Sequence, residues 1–412
     1  MKLDDSDRRA TRSNRQRTIV VAVVATMFLA AGSFVVLQRR STSAVATPAT
    51  ETSATMSDGR TWLAVRKDVA GLGDGASINA ATHTATRMVL AGADEAGSLP
   101  KARVWSSTDG QRWSAATVPS RAGRVVAVAV SPVGTVLAIG IDASAGVSGP
   151  GRNITSFVWR SDDGGATFHE VNVGDRIFGE PAPAMGRPSA DTLVWHSGAW
   201  LAGGAASNGL AGLWRSVDGT TWSALDVGSN HSGAMNLNIA DDGALVGYGI
   251  DERWSDPNLA TRGGAPQPMA VPLTAVIVDV APDGVTAVAA EILEQGQPTP
   301  LLRSADSGAS WTIDPRFLVR YPDAHALRVT TVGPILVLWG YAGDSSRAVP
   351  GAWYTVGGEE WHELPRTLIT SRAAQVTTSD AIGGPVTIGA MGDRVVLASS
   401  DRRVEQIFVL SR

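Results

Sequence analysis

The chain contains no cysteine in 412 residues. That excludes disulfides, thiol nucleophiles, Cys-ligated zinc and a lipid-modified cysteine, so any exported part must hold itself by packing and closure. Charged residues are scarce at 18%, with a net charge of −4. No global basic field exists, which argues against nucleic acid as a partner. The six histidines lie scattered at 83, 169, 196, 231, 325 and 362, without the clustering that zinc requires. There is no G-x-x-x-x-G-K-S/T phosphate loop, no G-x-G-x-x-G after a strand and no G-x-S-x-G nucleophile elbow. Beyond residue 60 no stretch carries a long helical period. These absences predict neither cofactor nor metal.

Hydrophobic residues make up 44% of the chain, enough for a large packed body. Residues 18 to 37, TIVVAVVATMFLAAGSFVVL, carry no charge. At about 1.5 Å per residue such a helix spans roughly 30 Å, the thickness of a bilayer core. Lys2, Arg8, Arg9, Arg12, Arg15 and Arg17 precede it, and Arg39 and Arg40 follow. The excess on the N-terminal side predicts a cytoplasmic N-terminus and an exported body. The competing reading is a cleaved signal peptide ending at Ala44-Val45-Ala46. The long apolar run and the intervening Arg39-Arg40 favour the uncleaved anchor. The expected division is a basic tail over 1–17, a transmembrane helix over 18–38, a Ser/Thr/Ala-rich flexible linker over 39–56 and one globular domain over 57–412.

The domain repeats. Leu301 to Trp311 reads LLRSADSGASW, with Ser304, Asp306, Gly308, Ser310 and Trp311 at fixed spacing. Ser161, Asp163, Gly165, Thr167 and Phe168 match it position by position. Ser107-Thr108-Asp109-Gly110-Gln111-Arg112-Trp113 and Ser216-Val217-Asp218-Gly219-Thr220-Thr221-Trp222 are one residue shorter. Thr355 to Trp361 keeps the frame without the aspartate, and Thr261-Arg262-Gly263-Gly264 reads as an eroded copy. The terminal aromatics stand 55, 54, 89 and 50 residues apart, one gap being nearly double. Such a period signals a repeat architecture.

Seven short turn-and-strand runs give an independent count: TATRMVLAGA, SPVGTVLAIG, HSGAWLAGG, ADDGALVGYG, APDGVTAVAA, TVGPILVLWG and MGDRVVLASS. The seventh turn motif is divided between the chain ends, with IFVLSR at the C-terminus and Ser57-Asp58-Gly59-Arg60-Thr61-Trp62 at the start of the domain. Trp62 to Arg412 is 350 residues, or 50 per unit for seven units. Four short strands per unit predict an all-β fold, a seven-bladed β-propeller, with six or eight blades as alternatives. Thr61 to Arg66 should supply the outer strand of the last blade and close the ring.

The motif S-x-D-x-G-x-T/S-W resembles the Asp-box, or BNR repeat, of the sialidase-like propeller superfamily, and the resemblance extends from about residue 57 to the end. It implies that each box is a turn between the third and fourth strands of a blade. The chemistry supports a structural role, since a hydroxyl and a carboxylate two residues apart accept backbone N–H bonds within their own turn. Glycine takes a positive φ there, and the aromatic packs inward. Most boxes carry one acid where a calcium loop needs three or four, so metal binding is not expected. Sialidases of this superfamily use an arginine triad, a Tyr/Glu nucleophile pair and an Asp acid/base. The F/Y-R-I/L-P motif that carries their first arginine is absent: Arg66-Lys67-Asp68 and Arg176-Ile177-Phe178 do not match. Tyr248, Tyr321, Tyr341 and Tyr354 are the only tyrosines, and no catalytic set emerges.

Function is therefore expected on the face opposite the boxes, where loops join second to third strands and successive blades. The candidate ligand-binding residues are Asp251, Glu252, Arg253 and Trp254 on one loop, and Arg320, Tyr321 and Asp323 on another. Acids, a cation and an aromatic together suit a sugar or a peptide. The expectation is a single-pass, membrane-anchored extracytoplasmic module that binds or scaffolds a protein or glycan at the cell envelope. The alternative is a divergent sialidase-like glycoside hydrolase using carboxylates such as Asp251, Glu252 or Asp323.

Overall fold

The computed structural model describes residues 51–411 apart from the stretches 85, 143–155, 174–188, 207–210, 226–235, 240–244, 249–251, 257–266, 269–274, 282–285, 292–299, 307–309, 333, 344–348, 359, 369–385, 392–393 and 400–405. The apolar run 18–37 and the eroded copy at 261–264 lie outside the described residues. Among those described, no helix is long and apolar enough to cross a membrane.

The regular secondary structure of the described residues is almost wholly strand, in seven antiparallel sheets. Sheet 1 runs Ala76–His83, Met88–Asp94, Lys101–Ser107 and Ser114–Ala115. Sheet 2 is Gly123–Val130, Val136–Asp142, Ser156–Ser161 and His169–Val171, and sheet 3 is Ser189–His196, Ala199–Ala205, Ala211–Ser216 and Ser223–Leu225. Sheet 4 comprises Asn236–Ile239, Leu245–Tyr248, Glu252–Asp256 and Gln267–Pro268. Sheet 5 comprises Ala275–Val280, Thr286–Glu291, Leu301–Arg303 and Thr312–Asp314. Sheet 6 is Ala324–Val332, Ile335–Ala342, Val349–Val356 and Trp361–Glu363. Each is a four-stranded meander in chain order. The first strands of sheets 1, 2, 3 and 4 stand beside one another in sequence, as do those of sheets 5, 6 and 7, and sheet 7 returns to sheet 1.

Sheet 7 joins the two ends of the domain. Val386–Met391, Arg394–Ser399 and Gln406–Ser411 come from the C-terminus, and Thr61–Arg66 pairs with the last of them from Thr61↔Ser411 to Arg66↔Gln406. Trp62 is wholly buried in this seam, beside Val395, Leu397, Phe408 and Leu410. The sheet has a fifth strand that the sequence did not announce. Glu51–Thr55, expected within the flexible linker 39–56, pairs antiparallel with Thr61–Arg66. Its alternating exposure, with Ala54 against the core and Glu51, Ser53 and Thr55 outward, is that of a half-buried edge strand. A five-residue polar alternation is too short and too apolar-poor to read as a strand until a partner edge is known.

The second-strand runs of the sequence carry a further device. Five first strands bulge at equivalent registers, between Ile78/Ala80, Val125/Ala127, Ala190/Thr192, Ile277/Asp279 and Ala326/Arg328. Gly92, Gly140, Gly204 and Gly340 face four of these bulges from the second strand. A Cβ on Gly92 would meet the Ser77 carbonyl oxygen at 1.9 Å, and one on Gly340 the His325 oxygen at 1.8 Å. The glycine in VLAGA and VLWG thus admits the bulged backbone of its neighbour.

Candidate functional site

Because neighbouring strands are antiparallel, the connections from first to second and from third to fourth strand leave one face of the ring of sheets. Those from second to third strand, and from each sheet to the next, leave the other. The Ser-x-Asp turns all lie on the first, hereafter the turn face. The longest connections between strands, 143–155, 172–188 and 364–385, leave from the second, the loop face.

In the described turns the serine and aspartate side chains bond within their own turn. In sheet 2, Ser161 Oγ donates to Asp163 Oδ1 at 2.7 Å, and the same oxygen accepts the N–H groups of Ala166 and Thr167 at 2.9 Å. Gly165 N–H donates to Ser161 Oγ at 2.8 Å. Ser107/Asp109 and Ser216/Asp218 repeat this pattern, each carboxylate accepting two backbone N–H groups at 2.8–2.9 Å. Asp306 accepts Ser304 Oγ, Ser310 N–H and Ser310 Oγ; Gly308 lies outside the described residues. Burial opposes the charge on Asp163, but the N–H groups of Thr167 and Ala166 and the hydroxyl of Ser161 outweigh it and hold its pKa at about 2. Asp218 is lowered chiefly by the N–H groups of Thr221 and Thr220. The terminal aromatics Trp113, Phe168 and Trp311 are buried, and Trp222 is half-buried.

The turns also fasten one sheet to the next, which the motif alone did not reveal. Gly110, Gly165 and Gly219 have φ of +71°, +91° and +75°. A Cβ on them would meet Val396, Val89 and Leu137 at 2.8, 2.9 and 2.7 Å. Each of those residues lies on the second strand of the preceding sheet, so the glycine serves inter-sheet packing as well as its own dihedral. Arginines reach over turns of this kind from the preceding sheet or, for Arg316, from the helical connection that follows it. Arg394 Nη1 donates to the Asp109 carbonyl at 2.7 Å, Arg160 Nη1 to the Asp218 carbonyl at 2.7 Å, and Arg316 Nη1 to the Gly358 carbonyl at 3.0 Å.

The divided seventh turn is a latch. Asp58 accepts from Arg60 N–H at 3.0 Å and Arg60 Nη1 at 2.9 Å, and from the Tyr354 hydroxyl of sheet 6 at 3.0 Å. Ser57 Oγ and His362 Nδ1 stand 3.3 Å apart. Burial and this carboxylate together push the Tyr354 phenol well above its ordinary range, so Tyr354 is a neutral donor in a structural bond.

On the loop face the candidate residues fall in two separate sheets' regions. Asp251 lies outside the described residues. Glu252, Arg253 and Trp254 stand in the third strand of sheet 4, where a loop was expected; Glu252 and Arg253 are paired with Pro268 and Gln267, and Trp254 with Gly247. The backbone is ordered by ladder bonds on both sides, which polar composition alone did not suggest. Arg320 ends a six-residue helix, α1 (Pro315–Arg320), whose N-cap Asp314 accepts the Arg316 N–H. Tyr321 donates its hydroxyl to the Trp361 carbonyl at 3.2 Å and packs its ring near Phe317 and Trp353. It is therefore a half-buried anchor of the connection between sheets 5 and 6. Asp323 is half-exposed, 3.9 Å from Arg366.

Sequence reasoning passed over two loop-face features. Arg121 pairs with Asp142 at 3.1 Å and Glu170 at 2.9 Å, and lies over the Phe157 ring at 5.4 Å. Lys67 is buried, its Nζ donating to the Ala76 carbonyl at 2.7 Å. Neither had a local signal, since their partners are distant in sequence or are backbone groups. Among the described residues no group of three or more His, Asp or Glu could hold a metal ion.

No protein family and no curated protein matches the chain. Solved structures do. YCF48 bound to a D1 peptide aligns at a TM-score of 0.51 with 15% identity, covering 85% of this chain and 94% of that one. The likeness is one of fold. Virginiamycin B lyase from Staphylococcus aureus aligns at 0.50 with 12% identity, over 85% of this chain and 99% of that one. The microbial sialidase Hz136 aligns at 0.43 with 13% identity, over 85% and 67%, a similarity too low to carry argument. The chain has a propeller-like all-β fold.

Proposed function

We propose that this protein is a membrane-anchored, extracytoplasmic seven-bladed propeller that binds an extended segment of a partner protein on its loop face. The seven sheets and the repeated turns support seven blades, and the turns' internal bonding supports reading them as Asp-boxes that brace the ring. The observation that carries the reading is the division of labour between faces. The turn-face carboxylates are spent on their own backbone, whereas the long connections leave from the loop face. The YCF48 structure, alike in fold over most of both chains, is bound to a peptide, which favours a peptide over a glycan. Anchoring rests on the uncharged run 18–37 and its flanking arginines.

Hydrolysis is the second reading. A glycosidase acid needs a carboxyl with a raised pKa. The described carboxylates that depart from the ordinary value, Asp58, Asp109, Asp162, Asp163, Asp218 and Asp314, are all lowered. The test is to titrate the detergent-solubilised full chain against an array of extended peptides, and to assay it against a glycoside panel. Saturable peptide binding that weakens in Arg320→Ala or Trp254→Ala supports the proposal. Glycoside turnover abolished by Glu252→Gln or Asp323→Asn would replace it with the hydrolase reading.

A further inference from the structure

The outer edge of sheet 7 differs from the others. Among the described residues, the fourth strands of sheets 1 to 6 are two or three residues long. Such short outer strands blunt the edge of a sheet and offer another strand little to pair with. The fourth strand of sheet 7, Thr61–Arg66, is six residues long and is paired along its whole length with Gln406–Ser411. Its sequence, TWLAVR, combines high strand propensity and the large apolar Trp62, Leu63 and Val65 with a charge only at its end. Left open, it would present a full-length row of unpaired backbone groups. Glu51–Thr55, the fifth strand of this sheet, covers that row from Thr55↔Thr61 to Glu51↔Val65.

Glu51–Thr55 adds little to the core. Fixing the backbone of a residue costs about 1–2 kcal/mol, yet of this strand only Ala54, with Met56 just after it, packs against the cluster that holds Trp62, Leu364 and Leu368. Glu51, Ser53 and Thr55 are exposed. What the strand supplies is a polar five-residue edge in place of an apolar six-residue one. The turn 56–60 holds it there. Met56 N–H donates to the Arg60 carbonyl at 2.7 Å and Gly59 N–H to the Met56 carbonyl at 3.0 Å. The Tyr354 hydroxyl, donating to Asp58 at 3.0 Å, ties the turn to sheet 6.

We infer that Glu51–Thr55 is an edge guard, and that the strand it covers is a docking edge for a second copy of this chain. Both faces of Thr61–Arg66 are already occupied. Trp62 and Ala64 lie in a cluster with Trp339 and Tyr354 of sheet 6, and Val65 lies in one with Trp105 of sheet 1. The edge therefore offers backbone, and the partner that fits it is another strand with an unpaired edge. The same strand of a second copy meets that condition. Antiparallel pairing about Leu63 is self-complementary: Leu63 faces its own counterpart, and the large Trp62 stands opposite the small Ala64 across a two-fold axis. Guard and second copy need the same backbone groups, so the chain stays single while the guard is in place and pairs when it is displaced.

The test uses the full chain in detergent. The double substitution Ser53→Pro/Ala54→Pro removes two successive N–H groups, one of which faces Thr61–Arg66 because successive residues of a strand bond to opposite sides. The absence of cysteine makes Leu63→Cys a reporter of pairing through this strand. Directly opposite Cα atoms stand about 4.5–5.5 Å apart, within disulfide range. Val133→Cys, exposed on the turn face, gives the level of collisional cross-linking. Under mild oxidation the position-63 dimer should rise several-fold above the Val133→Cys level once the guard is broken, and should stay at that level while the guard is intact. Ala54→Asp, which sets a charge against the core cluster without a proline, should act in the same direction, and it replaces the proline pair if that variant does not melt cooperatively. A cooperative melt without cross-linking at 63 in the guard-broken chain overturns the docking edge. Equal cross-linking with and without the guard overturns the guarding role. Oligomers that form without a disulfide at 63 overturn pairing through this strand.

Discussion

Replacing Asp163 by Ala tests whether the turns hold the ring together or serve a ligand. The substitution removes one acceptor oxygen that takes the Ser161 hydroxyl at 2.7 Å and the N–H groups of Ala166 and Thr167 at 2.9 Å. Net bonds of this kind contribute about 0.5–1.5 kcal/mol each, but these donors lie near solvent and water can replace part of what is lost. The expected cost is about 1–2 kcal/mol, or about 2–4 °C in Tm. The pKa sets a second signature. It is about 2 in the folded protein against an ordinary 3.8, so the charge stabilises the fold fully above pH 3.8 and loses that effect as the pH falls toward 2. Because the group is exposed, screening leaves roughly 1 kcal/mol attributable to the charge. Urea unfolding followed by tryptophan fluorescence, at steps from pH 6.5 to 3, should show the gap between native and variant constant near neutrality and narrowing below pH 4. A gap that is absent, or constant down to pH 3, would refute the account. Loss of ligand binding with stability unchanged would make the turn a site.

Three further outcomes are expected. Gly219→Ala should destabilise the domain by about 2 kcal/mol more than Gly134→Ala. Both have positive φ, but a Cβ on Gly219 meets Leu137 at 2.7 Å whereas one on Gly134 meets nothing. Equal losses by chemical denaturation would remove the inter-sheet role of the turn glycine. Trp62→Ala, which empties the closing seam, should cost about 3–5 kcal/mol, while removal of residues 1–55 should cost far less, because Thr61–Arg66 keeps its Gln406–Ser411 partner; comparable melting temperatures for the two would contradict this order. Arg160→Met and Arg394→Met, which lose single bonds to the Asp218 and Asp109 carbonyls, should each lower stability by about 1 kcal/mol in the same assay, and no change would make these bonds incidental.

The sequence by itself determined what depends on local order. Repeated Ser-x-Asp turns and alternating strands were enough to predict all-β units, since each of these signals lies within a few residues of the contact it specifies, and the motif divided between Ser57 and Arg412 was enough to pair Thr61–Arg66 with the C-terminal strand because its two halves complete one repeated unit. Only the tertiary structure decided what depends on neighbours. The glycine of VLAGA is required by a bulge some fifteen residues earlier, Gly219 by Leu137 of the previous sheet, and the strand at Glu51–Thr55 by an edge that exists once the ring has closed. Tyr321 reads as an exposed loop aromatic and Trp254 as a loop residue because nothing nearby in sequence marks the Trp361 carbonyl as the partner of the one or backbone pairing with Gly247 for the other. Turn chemistry is written within the turn. Packing between sheets is written across fifty or more residues, and it becomes legible only when the sheets stand side by side.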